Sequence, residues 1–425
     1  RKSQEGIIHG ISVGLGPTLI LLAVGMLIGT WILCGTVPTM IYYGVQILNP
    51  AIFYAAGAAI CAIVSLSIGS SWTVAGTLGI GLMGIASSFE LSPAITAGAI
   101  VSGAYFGDKL SPMSDTTNLA SAVTGVDLFD HIRHMLWTTI PGFGLALLIF
   151  GLMGSGNATP LGEIEELQQS LAAQFNIGPH LLLPLVLMLW LVHRRFPAYP
   201  AIIVSSLAGA GLALLFQPEA VTRLAASTQE LGTFFTLLKG VWIALFKGYS
   251  SHSGNDFLDA LLSKGGMNSM LNTVWLIICA LGFGGAMERT GILSYLLQLA
   301  LRKVTGNGSL ICTTTLTCIG TNALAADQFI AIAVPGRMFG EAYERHGLSR
   351  LNLSRTLEDS ATLTSPLIPW NTCGAYMAAT LGVATVQYAP FALFNLLCPL
   401  LAIIYGFAGF ALKPLELPAT SGQEA

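Results

Sequence analysis

Long apolar runs, separated by short polar clusters, occupy almost the whole chain. One run extends from about Pro17 to Cys34, stops at Gly35-Thr36-Val37-Pro38 and resumes through Tyr42-Tyr43 to Leu48. A helix that crosses a bilayer needs about 20 apolar residues, so this pattern predicts one span, a break and a shorter segment. Further apolar segments lie at 50–68, 74–88, 91–106, 136–154, 178–193, 198–216, 270–287, 289–303, about 308–320, 323–340 and 388–412. Residues 4–15 and 129–135 have the mixed pattern of helices lying at a membrane interface.

Two polar clusters interrupt this apolar background. The first is GAYFGDKLSPMSDTTNLASAVT, residues 103–124; the second is TSPLIPWNT, residues 364–372. Gly107 and Pro112 disturb a helix in the first, and Pro366 and Pro369 in the second. Polar and ionisable groups at membrane depth are costly, so such a cluster is a functional-site candidate. A helix broken there also frees backbone carbonyls and amides that can coordinate an ion.

Composition supports the membrane reading. The 425 residues are 53% hydrophobic and only 9% charged, against about 25% charged in soluble domains. Mean hydropathy is +0.72. The 48 glycines suit closely packed transmembrane helices. A net charge of −3 gives no basis for a nucleic-acid partner. The seven cysteines form no CxxC pair and sit mostly in apolar runs, where they act as small hydrophobes.

The two halves resemble each other. Gly69 and Gly320, Glu90 and Glu341, Asp108 and Asp359, and Ser114 and Ser365 all stand 251 residues apart. Earlier glycines match at 256: Gly29 with Gly285, and Gly35 with Gly291. Paired interrupted segments in two halves are the sequence mark of a transporter site at a repeat interface. The expected organisation is a first repeat at 1–154, an acidic linker at 155–177, a second repeat at 178–413 and a disordered tail at 414–425. The second repeat carries two spans before its matched segments and the first carries none, so two helices are expected before Arg1. Arg133 and the turn His193-Arg194-Arg195 lie on one side, which the positive-inside rule assigns to the cytoplasm. The fold class is an all-α polytopic membrane protein with two inverted repeats, broken or re-entrant helices and about 10–12 membrane segments.

The clusters carry the chemistry of a hard-cation site. Such a cation takes carboxylate, hydroxyl, amide and carbonyl oxygens, and Asp115, Thr116, Thr117 and Asn118 supply these within four residues. A carboxylate away from water holds either a proton or a cation, which is the minimal requirement for ion–proton exchange at one site. Asp115 has no adjacent base and is the candidate carrier, with Thr117 and Asn118 completing a sodium site. Asp108 either shares that role or forms a supporting ion pair with Lys109. Ser111 and Ser114 either cap the broken helices or bind the ion, and Asn118 is either ligand or cap. From the second half, Ser365, Asn371 and Thr372 are expected to complete the site. Asn322 and Asp327, a carboxylate in an apolar stretch, are further candidates. No cofactor is implied, only transported sodium and protons.

GAYFGDKLSPMSDTTNLA (103–120) closely resembles the signature of the NhaC-type sodium/proton antiporter family. So do GTVPTMIYYG (35–44), SIGSSWTVAGTLGIGLMG (67–84), HIRHMLWTTIP (131–141) and LEDSATLTSPLIPWNTCGAY (357–376). The resemblance implies a secondary antiporter, not an enzyme, that exports sodium for protons by alternating access. It also implies a multi-pass protein of the bacterial inner membrane, and its wider group often has a dimeric scaffold. The family usually has additional N-terminal helices. One branch resembles sodium-linked malate/lactate exchangers, so a sodium-coupled organic acid antiporter is the alternative. An intramembrane aspartyl protease would need Gly-x-Gly-Asp, but residues 105–108 are Tyr-Phe-Gly-Asp.

Overall fold

A computed structural model describes residues 2–154, 161–225, 232–252, 254–301 and 304–415. Every regular element among them is helical, and the only strand-like contact is an isolated bridge between Leu348 and Pro414. The acidic segment expected as a linker contains a helix, Leu161–Gln174. Residues 155–160 and the tail from 416 onward lie outside the described residues.

Among the described residues, five helices are long and apolar enough to cross a membrane: Lys2–Leu33, Pro50–Ile68, Leu128–Gly154, Ala198–Phe216 and Met267–Arg289. Two bent pairs raise this to seven if each is one span. The expected 10–12 segments exceed that count for a physical reason. The remaining helices are broken, short or lined with hydroxyls, and the interrupted ones at the centre are buried in protein. Four of these interruptions organise the centre of the molecule.

In the first half, α1 (Phe53–Ile68) stops at Gly69, whose φ of +76° no β-branched residue tolerates, and α2 (Ser71–Val74) begins at once. Ser70 caps it by accepting from the Thr73 amide at 3.3 Å. Next, α3 (Pro93–Leu110) stops at Ser111, and α4 (Asp115–Thr124) starts after Ser114. Ser111 is extended, with ψ 129°, because Pro112 follows it. In the second half, α5 (Asn307–Ala325) ends at Ala326 and α6 (Gln328–Arg345) is capped by Asp327. Finally, α7 (Arg350–Leu357) continues through a π-helical turn, Glu358–Thr362, and breaks at Ile368 before Pro369. Asn371 then caps α8 (Thr372–Leu381) by accepting from the Cys373 amide at 3.0 Å.

These interruptions recur with one spacing. The caps Ser70 and Asp327, Ser114 and Asn371, and Gly125 and Gly382 are each 257 residues apart (327 − 70, 371 − 114, 382 − 125). Residue identities alone suggested 251. That register is displaced because it aligns side chains of like type, whereas chain direction is set by caps and positive-φ positions. In the 257 register Asp108 matches Ser365 and Ser71 matches Gln328, so the Ser71–Asp108 bond of the first half has its counterpart in the Ser365–Gln328 bond of the second.

The short helices interlock the halves. Ala120 of α4 is buried in an apolar cluster otherwise formed by the second half, including Leu310, Ile332, Phe339 and Leu357. Tyr376 of α8 stacks on Trp72 with ring centroids 4.0 Å apart, and its hydroxyl donates to the Trp72 carbonyl at 2.8 Å. Underneath, α1 and α3 cross backbone to backbone. A Cβ on Gly103 would sit 2.1 Å from the Ala58 carbonyl oxygen, and one on Gly107 2.2 Å from the Leu66 amide nitrogen. Ser65 bonds across this crossing, donating to the Ala104 carbonyl at 2.5 Å.

Gly107→Ala is therefore expected to destabilise the folded protein by about 1–3 kcal/mol through overpacking against backbone that cannot move aside. Gly125, where a Cβ has open space around it but φ is +70°, gives a contrasting control whose cost comes only from backbone strain. Thermal unfolding in detergent measures both.

Candidate functional site

The four interruptions meet around a cavity of ≈ 280 Å³. Its wall includes Gly69 to Thr73 at the start of α2, Asp108 at the end of α3, and Asp115 and Thr116 at the start of α4. The second half adds Asp327, Gln328 and Phe329 at the start of α6, and Thr372 and Tyr376 from α8. The three short helices α2, α4 and α8 and the longer α6 thus present their first turns here, and three carboxylates from both halves line the wall. Helix first turns supply unpaired amides and a partial positive charge.

Asp108 is buried and held as an acceptor. The Ser71 hydroxyl donates to its Oδ2 at 2.6 Å and the Ser71 amide approaches the same atom at 3.3 Å. Asp115 occupies the first turn of α4 and is exposed, so it stands at the cavity's open side. Asp327 is buried and accepts from the Phe329 and Ile330 amides at 2.9 and 3.0 Å, so its Oδ1 is committed to capping α6. Thr372 lines the wall, and its amide donates to the Ala326 carbonyl at 3.0 Å.

Other residues expected at the site hold the breaks in shape instead. The Asn118 amide donates to the Pro112 and Ser114 carbonyls at 2.9 and 2.7 Å, closing the loop as a cap. The Thr117 hydroxyl turns back to the Lys109 carbonyl at 2.9 Å. Thr117 therefore does not converge with Asp115 and Asn118. On a helix of 3.6 residues per turn, side chains two apart point to nearly opposite sides. Ser111 accepts from the Met113 amide, and the Ser114 and Thr116 hydroxyls bond each other at 3.0 Å. Asn322 and Asn371 bind one another: the Asn371 amide donates to the Asn322 side-chain oxygen at 3.1 Å, and Asn322 donates to the Ala361 carbonyl at 2.6 Å. Ser365 donates to Gln328 at 3.3 Å and to the Thr362 carbonyl at 2.8 Å.

The supporting ion pair is also different from the expected one. Lys109 does not pair with its neighbour Asp108, since consecutive helical side chains diverge. It forms a fully buried salt bridge with Asp359 of the π turn, joining the halves. Thr138 donates to the same Asp359 oxygen at 2.9 Å. Arg355, one turn before Asp359, is buried and donates through Nη1 to the Ala411 carbonyl at 2.8 Å. The charged sequence 340–359 thus ends inside the protein, with Arg355, Glu358 and Asp359 all fully buried. Sequence reasoning missed Ser71, Gln328, Arg355 and Glu358. Only the Gly-Ser-Ser at a helix end hinted at Ser71, and nothing in the local pattern marks the others.

Comparison with known proteins follows the same lines. The model of the Na+/H+ antiporter family matches residues 103–410. The chain is 40% identical over 407 residues to the Na(+)/H(+) antiporter NhaC of Alkalihalophilus pseudofirmus, covering 96% of this chain and 85% of that protein. It is 38% identical over 409 residues to the malate-2H(+)/Na(+)-lactate antiporter of Bacillus subtilis, covering 96% and 84%. It is 36% identical over 429 residues to the arginine/ornithine antiporter ArcD of Halobacterium salinarum, covering 99% and 85%.

Removing one partner of a buried ion pair leaves an uncompensated charge and costs about 3–5 kcal/mol. Lys109→Met and Asp359→Asn are each expected to lower stability on that scale. The double variant is expected to recover a large part of the loss, because it leaves no lone charge. A double-mutant cycle by thermal unfolding checks this; additive losses would show that the two residues are not coupled.

Proposed function

The chain belongs to the Na+/H+ antiporter family, and on that premise we propose that it exports sodium in exchange for protons at the cavity between its two halves. It is a transporter embedded in a membrane by several apolar helices, and the bacterial inner membrane is the location this reading assigns. The observation that carries the proposal is the position of Asp108. It is a buried carboxylate, anchored by Ser71, at the wall of a cavity that both halves build. A hydrogen-bonded carboxylate with a face on a cavity suits a small cation that must shed water and then leave again. Asp115 stands at the open side, where its charge attracts the cation before Asp108 binds it. Rocking of one half against the other would expose the cavity to each side in turn.

A second reading, sodium-coupled exchange of an organic acid, is favoured by the cavity's size and by the helix starts around it. Its ≈ 280 Å³ far exceeds the roughly 10–15 Å³ that one water needs by the same measure. The amide-rich first turns around it are suited to a carboxylate group as well as to water. The Bacillus subtilis relative is named for malate and lactate.

In proteoliposomes with an imposed pH gradient, Asp108→Asn is expected to abolish sodium-driven proton movement, and Asp115→Asn to weaken it by raising the sodium concentration required. Wild-type exchange in Asp108→Asn would reject Asp108 as the ion's ligand. Labelled malate and lactate, tested under the same sodium gradient, decide between the two substrates.

A further inference from the structure

Glu358 is a buried carboxylate without a salt-bridge partner among the described residues. It is fully buried, and neither carboxylate oxygen has a hydrogen-bond partner among the described residues. It sits at the first position of the π turn that interrupts α7, and such turns are frequent at functional sites. In the 257 register its counterpart is Val101 (358 − 257), a buried apolar residue of α3. The acid is therefore peculiar to the second half and is not needed to build the repeated framework.

Charge counting gives the isolation a meaning. The interior cluster holds three carboxylates, Asp108, Glu358 and Asp359, and two cations, Lys109 and Arg355. Lys109 is bridged to Asp359, and Arg355 also faces that carboxylate. Asp108 has the Ser71 hydroxyl and amide. Glu358 has no cation of its own among the described residues, and its polar neighbours are the Thr116 and Thr362 hydroxyls. One further positive charge makes the cluster neutral, and a buried excess charge is expensive. That charge can be a proton on Glu358 or a sodium ion at Asp108. The electrostatic influence of Asp108 and Lys109 reaches Glu358, so occupancy of one position is felt at the other.

Resting on the antiport reading above, we propose that Glu358 carries the exchanged proton, at a position separate from the sodium ligand Asp108. When sodium enters at Asp108, the Glu358 O–H gives its proton to water in the cavity and leaves a carboxylate. When sodium departs, the carboxylate takes a proton back. Thr116 connects the two places: it lines the cavity and its hydroxyl neighbours Glu358. Thr362, one turn further along, adds a second neighbouring hydroxyl that is otherwise unpartnered. The buried titratable groups on the elements packed around the π turn are Tyr105, Asp108 and Lys109 of α3, Cys318 of α5, Tyr343 of α6, Arg355 of α7, His131 of the Leu128–Gly154 helix and Cys398 of the Leu393–Ala408 helix, with Asp115 of α4 exposed. Among these, Tyr343 is engaged with Thr314 and Thr356, and Cys398 with the Thr138 carbonyl.

The test is proton release on sodium binding by purified protein in weakly buffered detergent, read with a pH indicator and by infrared difference spectroscopy. The wild type is expected to release protons on addition of sodium chloride and to lose a carboxylic-acid C=O band. Glu358→Gln is expected to lose both signals, together with sodium/proton exchange. Sodium/sodium exchange should persist, because Asp108 is intact. Glu358→Asp keeps an acid and should restore the band at a shifted position, which serves if the glutamine variant does not fold. Wild-type proton release in folded Glu358→Gln, or an unshifted band in Glu358→Asp, would overturn the assignment. A wild type that moves no protons with sodium would instead refute the antiport reading itself.

Discussion

An interrupted helix away from water must find partners for the backbone groups that the interruption frees. This requirement shapes the centre of the protein. Ser70, Asp327 and Asn371 each turn a side-chain oxygen onto the amides of the helix that follows them. Asn118 closes the loop at the fourth interruption by bonding two carbonyls. Much of the polarity in the two clusters is consumed in this way. What caps no helix around the cavity is a smaller set, with Asp108, Asp115, Gln328 and Thr372 prominent in it. The capping chemistry and the transport chemistry therefore use the same residue types for different ends, and only geometry separates them.

The second organising feature is the buried charge cluster behind the cavity. The Lys109–Asp359 bridge ties the end of α3 to the π turn of the other half. Buried ion pairs add little net stability compared with apolar replacements, because desolvation offsets the attraction. Their value here lies in registry, since the bridge holds the two interrupted segments side by side. The short helices do the same by packing, with Ala120 set in the second half's core and Tyr376 stacked on Trp72. A rocking motion of the halves has to keep or exchange these contacts, so the interface that forms the cavity is also where conformational change would act.

Much of this was legible before the fold was known. Pro112 and Pro369 announce the extended residues before them, and Gly69, Gly125 and Gly382 announce helix ends. These are local effects, and their physics acts within a few residues. The ligand assignments fared differently. Asp115, Thr117 and Asn118 are close in sequence, yet Thr117 turns inward to the Lys109 carbonyl once α4 forms and the Asn118 amide is spent on two carbonyls. Asp108 and Lys109 are neighbours with separate partners. Proximity along the chain is a poor guide to convergence wherever a helix rotates successive side chains by about 100°.

By itself, the sequence determined the membrane-embedded, all-α class and the places where helices stop, because hydrophobic runs, prolines, glycines and capping residues act through local sterics and solvation. It also carried the family signature that identifies the antiporter chemistry. The tertiary structure alone decided the 257 spacing of the caps, the pairing of Lys109 with Asp359 across 250 residues, and the burial of Arg355 and Glu358 in a segment that looks like a charged surface loop. Those outcomes depend on which distant groups desolvate and neutralise each other, and no local pattern encodes that.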